Sequence, residues 1–200
     1  MNKRDQTTVN GKMSELLRQQ IESVVTLTDH EFEQVLSHFT PKKFRKHQFL
    51  VQEGELVRNN FFIARGLTKS FFTDETGKEH IVHFAMDNDW VTDAQAFHLQ
   101  KKSTVNIYCL ENCDSFAITY DNLQKLCSGL QKMQYYFRQK AIEENIALQR
   151  RIQCIISNDA TNRYHDLATN YPELIQRVPK KMIASFLGIS RETLSRLLPQ

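Results

Sequence analysis

Between Lys42 and Ile118 the chain is cut into short alternating apolar runs, each ended by turn residues. No other feature limits its fold as much. "NFFIARG" closes on Gly66, and "LTKSFF" runs into a turn at Asp74 to Gly77. "HIVHF" is stopped by "DND", and "TVNIYCL" is divided from "SFAIT" by "ENCD". Strands of about five residues with a turn every ten or so predict a β-sandwich or roll. Gly54, Gly66 and Gly77 stand where such turns need positive φ.

The flanks have a helical period. Ser14–Val25 and Thr28–Phe39 read as amphipathic helices. Thr28 with Glu31 three residues on is a capping box. Residues 1–12 are polar and read as a disordered lead-in. From Asp121 the helical period returns, with Leu123, Leu126, Leu130, Met133 and Phe137 on one face. Ala141, Asn145, Leu148, Ile152 and Ile155 then recur at spacings of 4, 3, 4 and 3, a heptad seam. Ile142 and Ile146 form a second apolar stripe beside it. A helix with two apolar faces must bury both, so one is expected on the roll and the other against a second copy. An Asn in such a seam costs stability but fixes register. "SND" opens a shorter helix through Thr169, and "NYPELIQRVPKK" reads as a turn and a short extended piece.

The last segment carries the most chemistry. Pro179 suits a helix's first turn, Met182, Ile183, Phe186 and Leu187 give an apolar face, and Gly188 ends it. Ser190 caps a second helix whose inner face is Leu194, Leu197 and Leu198. Two short helices joined by a glycine turn are a helix-turn-helix signature. The second helix presents Arg191, Glu192, Ser195 and Arg196 away from its leucines. Arg grips guanine O6 and N7 with two donors, and Glu accepts from cytosine N4. Ser190, Thr193, Lys180 and Lys181 are placed for phosphates. Charge agrees. Residues 150–200 hold 8 Lys and Arg against 4 Asp and Glu, whereas the first 149 hold 18 against 19. A basic end points to a polyanion.

"IASFLGISRETLSR" resembles the helix-turn-helix of the Crp/Fnr family of bacterial transcription regulators, and the order of the remaining segments agrees over nearly the whole chain. The resemblance implies an α+β fold. It comprises an N-terminal double-stranded β-helix (jelly-roll-like) sensor domain at 13–128, a long dimerisation helix at 129–157, and a winged helix-turn-helix at 158–200. It implies a cytoplasmic homodimer that binds double-stranded DNA, with RNA polymerase as a further partner and no membrane. In the family, residues matching Arg191, Glu192 and Arg196 contact bases. The chain stops at Pro199-Gln200, where relatives usually run on. The alternative is therefore a ligand-binding or protein-interaction module with a decayed head.

In family members that bind a cyclic nucleotide, the phosphate cassette pairs Gly-Glu with a later Arg before Ser or Thr. Here the matching stretch runs from Trp90 to Thr104, with Thr92, Asp93 and Lys102 at those positions, followed by Ser103 and Thr104. Lys is a point charge where Arg is a fork, and no glycine eases backbone approach. The expected effector is thus a small molecule other than cAMP. The cysteines, at 109, 113, 127 and 154, match no zinc or cluster spacing and read as free thiols, so no cofactor is expected. His47, His80, His83 and His98 read as ordinary core or surface histidines. No GxSxG, HExxH or P-loop occurs, and no reaction is expected. No run of about eighteen apolar residues is present.

Overall fold

The computed structural model describes residues 3–157 and 159–197. Its contacts part the chain into two compact units. One holds the residues up to Ser70 together with Phe84–Lys140; the other holds Phe71–His83 and the chain from Ala141 onward.

The first unit begins with α1 (Lys3–Glu22) and α2 (Asp29–Ser37). The capping box forms as its residues predict: the Glu31 amide donates to Thr28 Oγ1 at 3.2 Å, and the Thr28 amide donates to Glu31 Oε2 at 2.8 Å. Phe32 and Val35 are the face α2 buries. The stretch expected as a disordered lead-in is helical from Lys3, because the apolar pattern of Met13, Leu17 and Ile21 anchors one long helix whose first turns extend back from it.

Eight strands follow: β1 (Thr40–Phe44), β2 (Phe49–Val51), β3 (Asn59–Arg65), β4 (Thr68–Thr73), β5 (Glu79–Ala85), β6 (Asp89–Val91), β7 (Asn106–Cys109) and β8 (Cys113–Thr119). Among the described residues they make two four-stranded sheets, ordered β1-β8-β3-β6 and β2-β7-β4-β5. The first is antiparallel throughout, with Phe62 opposite both Phe116 and Trp90. β3 and β8 are buried in continuous runs, 61–64 and 115–118, which puts Phe61, Phe62, Ile63, Phe116 and Ile118 in the core. Every long run that the sequence marks as a strand is one. β1, the short β2 and β6, and the helix α3 (Ala94–Leu99) lie in stretches the sequence leaves unassigned. Three residues are too few to show a period.

Gly66 ends β3 with φ 127°. A Cβ there would stand 2.5 Å from Cys113 Sγ and 2.8 Å from the Asn112 carbonyl, so no side chain fits. Cys109 and Cys113 are buried free thiols, and Cys127 and Cys154 are half-buried.

The helical region after β8 is two helices, α4 (Tyr120–Gly129) and α5 (Gln131–Ser157), divided at Leu130, whose backbone is extended. Gly129 weakens the helix at that point. Met133 and Tyr136 of α5 are fully buried, and the Tyr136 hydroxyl accepts from Trp90 Nε1 at 2.8 Å.

In the second unit α6 (Ala160–Asn170) is capped by Asp159 and packs against α7 (Pro172–Arg177), α8 (Lys180–Leu187) and α9 (Arg191–Leu197). The piece expected to be extended, after Tyr171, is helix α7. Pro172 at its first position starts that helix where a turn and a short extended piece were expected. Leu167, Leu174, Val178, Ile183, Leu187 and Leu194 form the core. Beyond Thr119 no strand occurs among the described residues, so the expected wing has no counterpart in them. Leu198, Pro199 and Gln200 lie outside the described residues.

Candidate nucleic-acid interface and sensor cassette

Helix α8 stops because Gly188 takes φ 68°, where its amide reaches back to the Ala184 and Ser185 carbonyls. The Ile189 amide also reaches Ala184 O, at 3.0 Å. Arg163 of α6 donates to Leu187 O at 2.9 Å. Two residues on, Ser190 Oγ accepts the Thr193 amide at 3.1 Å and lies 3.1 Å from Thr193 Oγ1. That is the N-cap the sequence predicts. Leu194, 1% exposed, anchors α9 to the core.

The rest of α9 faces outward. Arg191, Glu192, Ser195 and Arg196 are exposed, as are Ser190 at the helix start and Lys180 and Lys181 at the start of α8; Thr193 is half-buried. The Glu192 carboxyl is held below its usual range, first by its own backbone amide and then by the Ser190 hydroxyl. It is therefore an acceptor at neutral pH. One short helix thus offers Arg191 and Glu192 in its first turn and Arg196 in its last.

In the first unit Asp93 caps α3. One carboxylate oxygen accepts the Ala96 amide at 3.0 Å. The other accepts from Ser103 Oγ at 2.9 Å and from the Thr104 amide at 3.1 Å. Burial pushes this carboxyl up, but the Ala96, Thr104 and Ser103 donors outweigh burial and hold it below its ordinary value.

Residues 41–129 match the cyclic nucleotide-binding domain family. Over 186 residues the chain is 27% identical to the anaerobic regulatory protein of Aggregatibacter actinomycetemcomitans, covering 86% of this chain and 71% of that one. It is 21% identical to the cAMP-activated global transcriptional regulator CRP of Salmonella typhimurium, covering 86% of each. Among solved structures, the c-di-GMP responsive global regulator CLP of Xanthomonas campestris has the same fold at TM-score 0.68, with 19% identity and 86% and 90% of the two chains covered. The chain is thus similar to regulators of the Crp/Fnr type over 86% of its length. By name, CRP is a transcriptional regulator, and the other two are regulators.

Against the Crp/Fnr cassette, the structure brings together Asp93, Ser103 and Thr104 but spends their polar atoms on one another. Ser103 is buried, and Lys102 is exposed beside its backbone bridge to Leu56. Trp90 packs on Phe39, Phe62 and Phe137, so it is a core ring. Along α5, Ala141, Asn145, Leu148, Ile152 and Ile155 are all exposed, Ile152 by 57% and Ile155 by 48%. Ile142 and Ile146 are exposed as well. The earlier turns of α5 are buried in the first unit, at Met133 and Tyr136. Among the described residues no helix is long and apolar enough to cross a membrane.

Sequence reasoning passed over Arg163 and Arg151. Arg151 donates to the Val82 carbonyl, to Ile81 O at 3.2 Å and to Phe186 O at 3.2 Å. Backbone carbonyls leave no trace in residue types, so no sequence signal marks either arginine.

Proposed function

We propose that this chain is a homodimeric, sequence-specific DNA-binding transcription regulator of the cytoplasm. It answers a small molecule at its sheet domain and works with RNA polymerase. The observation that carries this is the exposed trio Arg191, Glu192 and Arg196 on a helix whose start is capped by Ser190 and whose inner face is anchored by Leu194. In this reading α8 and α9 are the helix-turn-helix, and the first turn of α9 enters the major groove. Arg191 and Arg196 read guanines, Glu192 reads cytosine, and Lys180, Lys181, Ser190, Thr193 and Ser195 meet the backbone or flanking edges. Ala141, Asn145, Leu148, Ile152 and Ile155 form the seam with a second copy. The two heads then meet half-sites about 34–36 Å apart.

The sheet domain is read as a jelly-roll sensor whose effector is other than cAMP. Three observations favour that reading. Lys102 replaces a fork with a point charge, the Trp90–Thr104 stretch contains no glycine, and the Asp93 carboxylate already has three donors. Such a ligand would sit near Asp93, Lys102, Ser103 and Thr104, with Trp90 behind them.

The test is selection of bound duplexes from a random pool, followed by affinity measurements on the winner. Arg191→Ala and Arg196→Ala are each expected to weaken binding by about 1–3 kcal/mol and relax the preferred sequence. Lys180→Ala is expected to weaken all DNA alike and flatten the salt slope. Arginine variants that bind the selected site as well as the parent would show that α9 is not the reading element. No enrichment with or without cell extract would leave the decayed-head reading.

A further inference from the structure

The segment Phe71–His83 leaves the sheets' compact unit and joins the one that contains α6 to α9. Its polar contacts with α8 are specific. Ser185 Oγ of α8 donates to the Glu79 carbonyl of β5 at 3.1 Å. Arg151 of α5 supplies the rest. Its guanidinium is shared among the carbonyls of Ile81 and Val82 on β5 and of Phe186 on α8, and it lies 3.8 Å over the Phe186 ring. One side chain thus ties three elements.

The chemistry suits that task. Phe186 sits in the last turn of α8, where carbonyls lack helical partners and the helix dipole is negative. Arg163 caps Leu187 O, and Gly188 and Ile189 cover Ala184 and Ser185, so Arg151 completes the set. Burial lowers Arg151 to about 10, which leaves it a cation at neutral pH. A charged donor to a half-buried carbonyl is among the stronger hydrogen bonds, and only a planar fork can serve several acceptors at once.

We propose that Arg151 is a positioning residue for the α8–α9 pair, a latch through which movement of the β4–β5 hairpin or of α5 is passed to the end of α8 and hence to the start of α9. What is positioned rests on the DNA-binding reading above; the latch itself does not.

The test uses the full chain and Arg151→Met, which keeps the stem and removes every donor. Hydrogen exchange without DNA is expected to rise together at residues 79–83 and in the last turn of α8, by roughly tenfold or more, with α6 and the first sheet unchanged. Exchange that rises in neither segment, or in only one, overturns the latch. The second readout is binding to duplexes whose two half-sites are set at the selected spacing or one or two base pairs off. The variant is expected to bind a lone half-site like the parent but to lose discrimination among spacings. Unchanged discrimination overturns the positioning role. A parent that selects no two-fold DNA sinks the DNA reading, and the exchange result still decides the latch. If Arg151→Met does not fold, Arg151→Lys, which keeps the charge and loses the fork, is held to the same two criteria.

Discussion

Asp93 shows how one carboxylate can be read two ways. Its place in the sequence marks a ligand contact, whereas its geometry makes it the cap of α3 and the tie between that helix and the Ser103-Thr104 turn. Truncation to Ala leaves the Ala96 amide, the Thr104 amide and the Ser103 hydroxyl without their acceptor, in a place where the residue is 8% exposed. We expect Asp93→Ala to destabilise the first unit by about 2–3 kcal/mol in chemical denaturation, with Asp93→Asn losing less because one oxygen remains. An Asp93→Ala protein as stable as the parent would return this residue to a purely ligand-binding role. The caps at Thr28, Asp159, Gly188 and Ser190 were legible because capping is local chemistry with a fixed offset. Asp93 as a cap was passed over although its bond to the Ala96 amide is equally local, because the six-residue α3 shows no apolar period to flag a helix; its second set of donors comes from ten residues away.

Elements with a long, regular period were legible, and those made by tertiary contacts were not. The strands β3, β4, β5, β7 and β8 and the helices α2, α6, α8 and α9 follow from pattern and punctuation. The two three-residue strands depend on partners that sequence does not display, and the division at Leu130 is invisible to an apolar period that runs straight through it. The α2 and α5 helices are joined by an ion pair, Lys132 Nζ to Glu31 at 2.8 Å. That amine first, and the Thr28 amide second, hold the Glu31 carboxyl down at about 2. A carboxyl lowered by folding adds stability above its unfolded value, near pH 4.3, and loses it as pH falls towards 2. Denaturant midpoints followed down through that window should therefore fall less steeply in Glu31→Gln than in the parent. Equal slopes would mean that the pair contributes nothing in solution.

For the whole molecule the decisive feature is the row of exposed aliphatic side chains along α5. Ile142, Ile146, Leu148, Ile152, Ile155 and Ile156 are each more than two-fifths exposed in a single chain. A contiguous apolar row of that kind marks an interface. We expect Ile152→Glu to convert a dimer into a monomer by sedimentation and to abolish preference for two-fold operators. A parent that sediments as a monomer would instead leave this face to a different partner. The apolar row itself was legible, since heptad spacing is a property of residue types; what covers it is not, because that depends on a partner that residue types do not display.

The carbonyls that Arg151 holds have a consequence for drift in this chain. Ile81, Val82 and Phe186 contribute acceptors that every residue type possesses, so their side chains can be exchanged without the hydrogen bonds being lost. Only the arginine is irreplaceable. A regulator wired in this way can acquire a new signal by rewriting the hairpin while the connection to its far end survives untouched.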